Sequence, residues 1–340
     1  MGPRIDVFNH IMPARYFAKF SELVRDKGMA KRMSSIKLLH DVDARLRMMD
    51  QWPGYQQVLT CSPPAIELLG GPNVTPELAR LANDGLADLC RRWPEKFPAF
   101  VAAVPFNNVG ASLEEIDRAI TQLGARGIQM FTNVCGRPLD DPEFTPIFER
   151  MANQYKLPIL LHPSRGPAVA DYPAEPKSKY EIWQVLAWPH DTSVALARLV
   201  FSGLMDRLPD LRIITHHLGG TIPYLEGRVG PLWDQLGSRT ADEDYESLLK
   251  RMSKRPVDYF RMFYGDTVVG GSQSALRCGL DFFSADHVLF ASDCPFDPEG
   301  GPMFIRDNMR AVEELDIADS EKSKIFYGNA AAMLRLTAAQ

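Results

Sequence analysis

Five side chains in this sequence have the types and positions that metal or acid–base chemistry needs. His10 ends the apolar run "RIDVFNH", His162 lies near the end of "LPILLHP", His216 and His217 end "LRIITHH", and Asp293 ends "HVLFASD". Imidazoles with a carboxylate are a donor set suited to Zn²⁺, Mn²⁺ or Fe²⁺. Taken singly, each has an ordinary reading. A histidine at a strand end is commonly a hydrogen-bonded structural residue, and an aspartate after a strand is commonly a helix N-cap. Successive strand side chains alternate between faces, so only one of His216 and His217 is expected to point inward. The signal is the joint placement on four separate runs.

The elements that must position these groups are eight short apolar runs, at 4–10, 56–60, 97–105, 127–132, 157–163, 211–217, 260–266 and 287–293. Between them lie segments with apolar residues at helical spacing, at 113–125, 143–155 and 192–208. Strands alternating with helices pair in parallel through right-handed crossovers. The expected fold class is therefore α/β, a distorted (β/α)8 TIM barrel forming one domain over residues 1–340. An open doubly wound sheet would carry a Gly-rich loop after the first strand, and "NHIMPARY" is not one. In a barrel the C-terminal ends of all strands open on one mouth, which gathers residues almost 300 positions apart. The segment from about 14 to 55 and the insertion from about 164 to 190 are expected to cover that mouth.

Composition narrows the partners. The 340 residues are 45% hydrophobic and 24% charged, with a formal net charge of −5 and no basic run. Nucleic acid binding needs clustered Lys and Arg, so it is not expected. No apolar run is long enough to cross a bilayer. The five cysteines, Cys61, Cys90, Cys135, Cys278 and Cys294, form no CxxC pair. They read as reduced thiols in a cytoplasmic protein. Trp183 and Trp188 fall in the second covering segment, where they either stack on a flat substrate or pack the insertion down.

The motifs "IDVFNHIMP", "RLRMMDQWPGYQQVLTCSPP", "LPILLHPS", "RIITHHLGGTIPYLEGR", "VLFASDCPF" and "KIFYGNAAAML" together resemble one family nearly end to end. It is the amidohydrolase-related decarboxylases of the 2-amino-3-carboxymuconate 6-semialdehyde decarboxylase type, with the γ-resorcylate and 5-carboxyvanillate decarboxylases as relatives. The resemblance implies one divalent metal, zinc or manganese, on His10, His162 and Asp293. It implies His217 as a catalytic acid/base beside Asp293, and Arg45 or Arg47, with Arg228, as holders of a substrate carboxylate. The partner would be an aromatic or unsaturated small carboxylic acid, and the assembly a homo-oligomer, dimer or tetramer.

One position departs from the family pattern. The first strand usually reads His-x-His or Glu-x-His, and here the first member is Phe8. Residues 8 and 10 share a strand face, so Phe8 points where a ligand would stand. The metal is then retained on three ligands, Asp6 or His217 replaces the lost one, or the site works without metal. Phe8 is expected to be a functional replacement whose ring meets the substrate. A metal-dependent non-oxidative decarboxylation follows from the resemblance. The same parts would also serve a hydrolase or hydratase, and a non-catalytic barrel that binds a small acid is the third reading.

Overall fold

Continuous apolar runs become strands here because a parallel strand is covered on both faces. In the computed structural model, which describes residues 2–336, eight runs pair in this way. They are β1 (Arg4–Ile11), β2 (Tyr55–Cys61), β3 (Ala99–Phe100), β4 (Ile128–Phe131), β5 (Ile159–His162), β6 (Ile213–Thr215), β7 (Tyr264–Asp266) and β8 (Val288–Leu289). β1, β2 and β3 form one parallel sheet, and β4 to β8 form another in chain order. Two seams close the ring. A parallel bridge joins Ala102 to Ile128. On the other side the chain after β8 runs along β1, with Val7 N donating to Phe290 O, Asp293 N to Phe8 O and His10 N to Cys294 O. The result is the (β/α)8 barrel expected from the pattern.

Departures from the expected elements are local. The 260–266 run pairs only over Tyr264–Asp266, because Pro256–Phe260 is helical. The 192–208 pattern splits into helices Ala187–Phe201 and Leu204–Arg207, with Gly203 at φ 74 between them. The 143–155 pattern is a helix, Thr145–Glu149, that continues as a π-helical turn over Arg150–Tyr155 and stops at Lys156 in the left-handed region.

Side chains two positions below the chemical residues fill the barrel. Leu160 lies below His162 and Ile214 below His216, and both join a buried cluster with Ile5, Val58 and Leu289. This plug supports the site from beneath, as expected where a barrel interior is packed rather than open. Of the 14–55 segment, α2 (Lys27–Ser35) lines the mouth together with the insertion between β5 and the helix Ala187–Phe201, whereas α1 (Ala14–Leu23) packs against the helix Thr75–Arg92 and α3 (Val42–Met49) against β1. Among the described residues no helix is long and apolar enough to cross a membrane.

Candidate metal centre and active-site cavity

His10, His162, His216 and Asp293 offer one donor atom each within 4.8 Å of one another. The three histidines are buried, and Asp293 is 14% exposed. Each ring is oriented by a partner on Nδ1. Thr60 Oγ1 gives its own proton to Asn9 O, so it accepts from His10 Nδ1 at 3.2 Å. His162 Nδ1 donates to Pro163 O at 2.7 Å, and His216 Nδ1 to Asp266 Oδ2 at 2.5 Å. With Nδ1 held by these acceptors, all three turn Nε2 toward the centre, as a lone pair in neutral His10 and His162 and in His216 once a cation displaces its second proton.

Two of these nitrogens are left without a hydrogen bond. His10 Nε2 lies 3.1 Å and His216 Nε2 3.5 Å from Asp293 Oδ1. Neither ring nitrogen has a hydrogen-bond partner, although both are buried. Burial would raise Asp293, but His10 and His216 beside it hold its carboxyl well below the usual carboxylate range. Burial keeps His10 and His162 below the usual histidine value. An ionised carboxylate ringed by inward-facing imidazole nitrogens is a set of groups completed by a cation. The donors present fit a divalent ion.

The two adjacent histidines both reach the site, against the alternation expected of a strand. β6 ends at Thr215, and His217 and Leu218 take φ 54 and φ 53. Strand periodicity no longer applies there. His216 enters the donor cluster, which sequence reasoning did not assign it. His217 packs 4.0 Å away by ring centroids and lines a cavity together with Asp293. Its Nδ1 is buried without a partner. Burial, reinforced by His216, pushes its pKa down to about 3.

Other expectations require correction. Arg45 is fully buried and holds no ligand. Its guanidinium donates to Gln57 Oε1, Asn9 Oδ1, and the carbonyls of His10 and Leu38 at 2.7–3.1 Å, which pins α3 to β1. Arg47 and Arg228 are exposed and line neither mouth cavity. Asp6 does not replace a ligand, because Tyr55 and Ser292 hydroxyls and the Phe8 and Ser292 amides saturate it. Phe8 does not meet the cavity. Its fully buried ring stacks on His216 at 4.1 Å and lies 5.8 Å from His10 and 5.9 Å from His162. It walls the donor cluster instead of the substrate space.

Two residues escaped sequence reasoning. Asp266 ends β7 as Asp293 follows β8, and an acid at a strand's C-terminal end was the available signal. Arg32, on α2, lines both mouth cavities with its guanidinium over the Phe296 ring, 5.4 Å from the centroid. No carboxylate pairs with it among the described residues. Helical periodicity carries no mark of a cation aimed at a distant site. Trp183 and Trp188 do line the first cavity, 5.7 Å apart by ring centroids, and Trp188 lies 5.5 Å from His162.

A parallel eight-stranded barrel with a histidine–aspartate centre at its C-terminal mouth defines the class: a metal-centre barrel of the enzyme type. The amidohydrolase family pattern matches residues 10–336, and the chain belongs to that family. The γ-resorcylate decarboxylase of Rhodococcus jostii is 30% identical over 314 residues, covering 88% of this chain and 89% of that one. A dihydroxybenzoic acid decarboxylase from a Polaromonas species, solved with bound manganese and the inhibitor 2-nitroresorcinol, matches with a TM-score of 0.78 at 25% identity. That match covers 100% of this chain and 98% of that one. The 5-carboxyvanillate decarboxylase of Sphingomonas paucimobilis shares the fold at a TM-score of 0.85, with 24% identity over 99% of this chain and 100% of that one.

Proposed function

We propose that this chain is a metal-dependent carboxy-lyase that removes CO₂ from an aromatic carboxylic acid without oxidation. The observation that carries this reading is the buried cluster of inward-facing imidazole nitrogens around Asp293, opening onto a cavity walled by Trp183, Trp188, Phe131 and Phe296. His10, His162 and Asp293, with His216 facing them, would hold the ion, zinc or manganese. When bound, the ion supplies positive charge that offsets the negative charge of the acid's oxygens.

The remaining roles fall to the cavity walls. Arg32 holds the anionic acid, in place of Arg45, Arg47 and Arg228. The tryptophans and Phe296 orient its flat ring. His217 is neutral in the empty cavity, and an arriving carboxylate raises its proton affinity. The bond between ring carbon and carboxyl carbon breaks and CO₂ leaves. The electron pair remaining on the ring carbon takes the proton that His217 took up from water as the acid bound, and His217 is neutral again. The five cysteines are free thiols, which supports placement in the cytoplasm. Exposed Tyr180, Val185 and Leu186 on the insertion support a homo-oligomer, and sedimentation checks it.

The test is CO₂ release from dihydroxybenzoates by metal-loaded protein. Release with formation of the matching phenol is expected. Ester or lactone hydrolysis without CO₂ release would assign the site to hydrolysis instead.

A further inference from the structure

Two cavities meet at the centre, and their walls differ. They share Arg32, Gln184, Trp188, Asp293 and Phe296. The cavity on the His217 side, about 500 Å³, is walled by Gly220, Val268, Gly270 and Phe304. The other, about 350 Å³, runs between α2 and the loop after β2. Its inner wall is apolar: Met33, Ala65 and Leu69 are buried there, with Met29, Pro64 and Phe131 beside them. Its charged groups are Arg25 and Asp26, exposed, Arg165, half-buried, and Arg32 and Asp293 at the boundary shared with the other cavity.

Size and lining together limit what belongs in this lobe. A cavity of roughly 150 Å³ is enough to enclose a benzene ring. A single carboxylated ring with its acid end at Asp293 would leave much of the lobe unfilled. The unfilled part is the apolar end, where a polar substituent would lose its water without finding a partner. Two methionines line it, side chains that adapt to variable apolar shapes.

Building on the decarboxylase reading, we infer that the substrate is an aromatic acid carrying a short apolar chain on the ring edge away from its carboxylate. The chain lies between α2 and the loop after β2, against Met29, Met33 and Leu69. The carboxylate end stays at Asp293, on the boundary with the His217 side. This lobe therefore sets which acids react well, and the donor cluster does not.

The experiment uses 2-hydroxybenzoate and its 4- and 5-methyl, propyl and pentyl homologues with metal-loaded protein. It measures kcat/KM for CO₂ release and, separately, the Kd of the corresponding phenols by calorimetry. At least one of the two ring positions should show both quantities improving along the series, by about fourfold per methylene while the lobe still has room. Met29→Trp, which fills the lobe from α2, should cancel the gradient so that all chain lengths behave alike within about threefold. Phenol affinities that are flat or fall with chain length at both positions overturn the inference, whatever the turnover. A gradient that survives Met29→Trp also overturns it, because the chain then lies elsewhere. Rising phenol affinity with no CO₂ from any acid upholds the lobe and refutes the decarboxylase reading, so the two failures are distinguishable.

Discussion

Asp293 and His216 in the floor of the site and the buried groups of its walls respond to burial in opposite ways. In that pair burial opposes charge but the neighbours prevail, whereas at His10 and His162, with neutral acceptors, burial prevails. Asp293 is held ionised by His10 and His216. Burial pulls His216 down, yet Asp266 and Asp293 raise it to about 9. In the walls burial prevails. His217 falls to about 3. Glu67, behind Pro64 and Phe131, is raised by burial to about 7 against the amide of Phe106 that donates to it. The difference is one of charged partners: His216 has the Asp266 carboxylate on Nδ1, the acceptors on His10 and His162 are neutral, and His217 Nδ1 has none. Partnered groups are suited to holding a cation in place. An unpartnered histidine at a cavity is free to change its proton when a ligand arrives.

The largest expected effect breaks the comparison at His217. His217→Gln should lower kcat by roughly 10²–10⁴-fold, the range for loss of a general acid, while metal content measured by elemental analysis stays at the wild-type level. A variant that loses its metal would move His217 into the floor.

Glu67 sharpens the wall side through pH. Its folded pKa is raised from 4.5 to about 7, so the fold favours the protonated form. That contribution is complete below about pH 4.5 and is lost as pH rises through 7, a change of about 3 kcal/mol. Glu67→Gln keeps an oxygen to accept from Phe106 N and cannot ionise. Relative to wild type, it should gain about that much stability between pH 5 and pH 8 in denaturant titrations. An unchanged difference across that range would mean that Glu67 is already ionised and behaves as a floor group does.

The smallest effect tests the floor. Asp266→Asn keeps an acceptor near His216 Nδ1 but removes the charge. Metal affinity, read by chelator competition, should fall by roughly 10–100-fold. Unchanged affinity would show that His216 does not help to hold the ion.

Much of the floor was legible in the sequence because it depends on strand ends. His10, His162 and Asp293 follow apolar runs, and barrel topology alone gathers such positions into one mouth. The choice between His216 and His217 was not legible. It turns on a left-handed backbone step after Thr215 that strand alternation does not anticipate. The arginines failed for a different reason. Arg45 stands in a motif beside the first strand, but whether its guanidinium meets a ligand or four protein oxygens depends on how α3 docks on β1, which is tertiary. Phe8 was correctly placed among the ligands by its two-residue spacing from His10. Its partner was misjudged, because the stack on His216 requires knowing where β6 lies.

The most direct test of the metal centre removes the ion. Protein stripped with a chelator and dialysed should release no CO₂ from a dihydroxybenzoate, and activity should return in proportion to added Zn²⁺ or Mn²⁺ up to one ion per chain. Asp293→Ala should neither bind the ion nor recover. Full turnover by the stripped protein would contradict the account, because His10, His162, His216 and Asp293 would then be working without the cation that their clustered donor atoms imply.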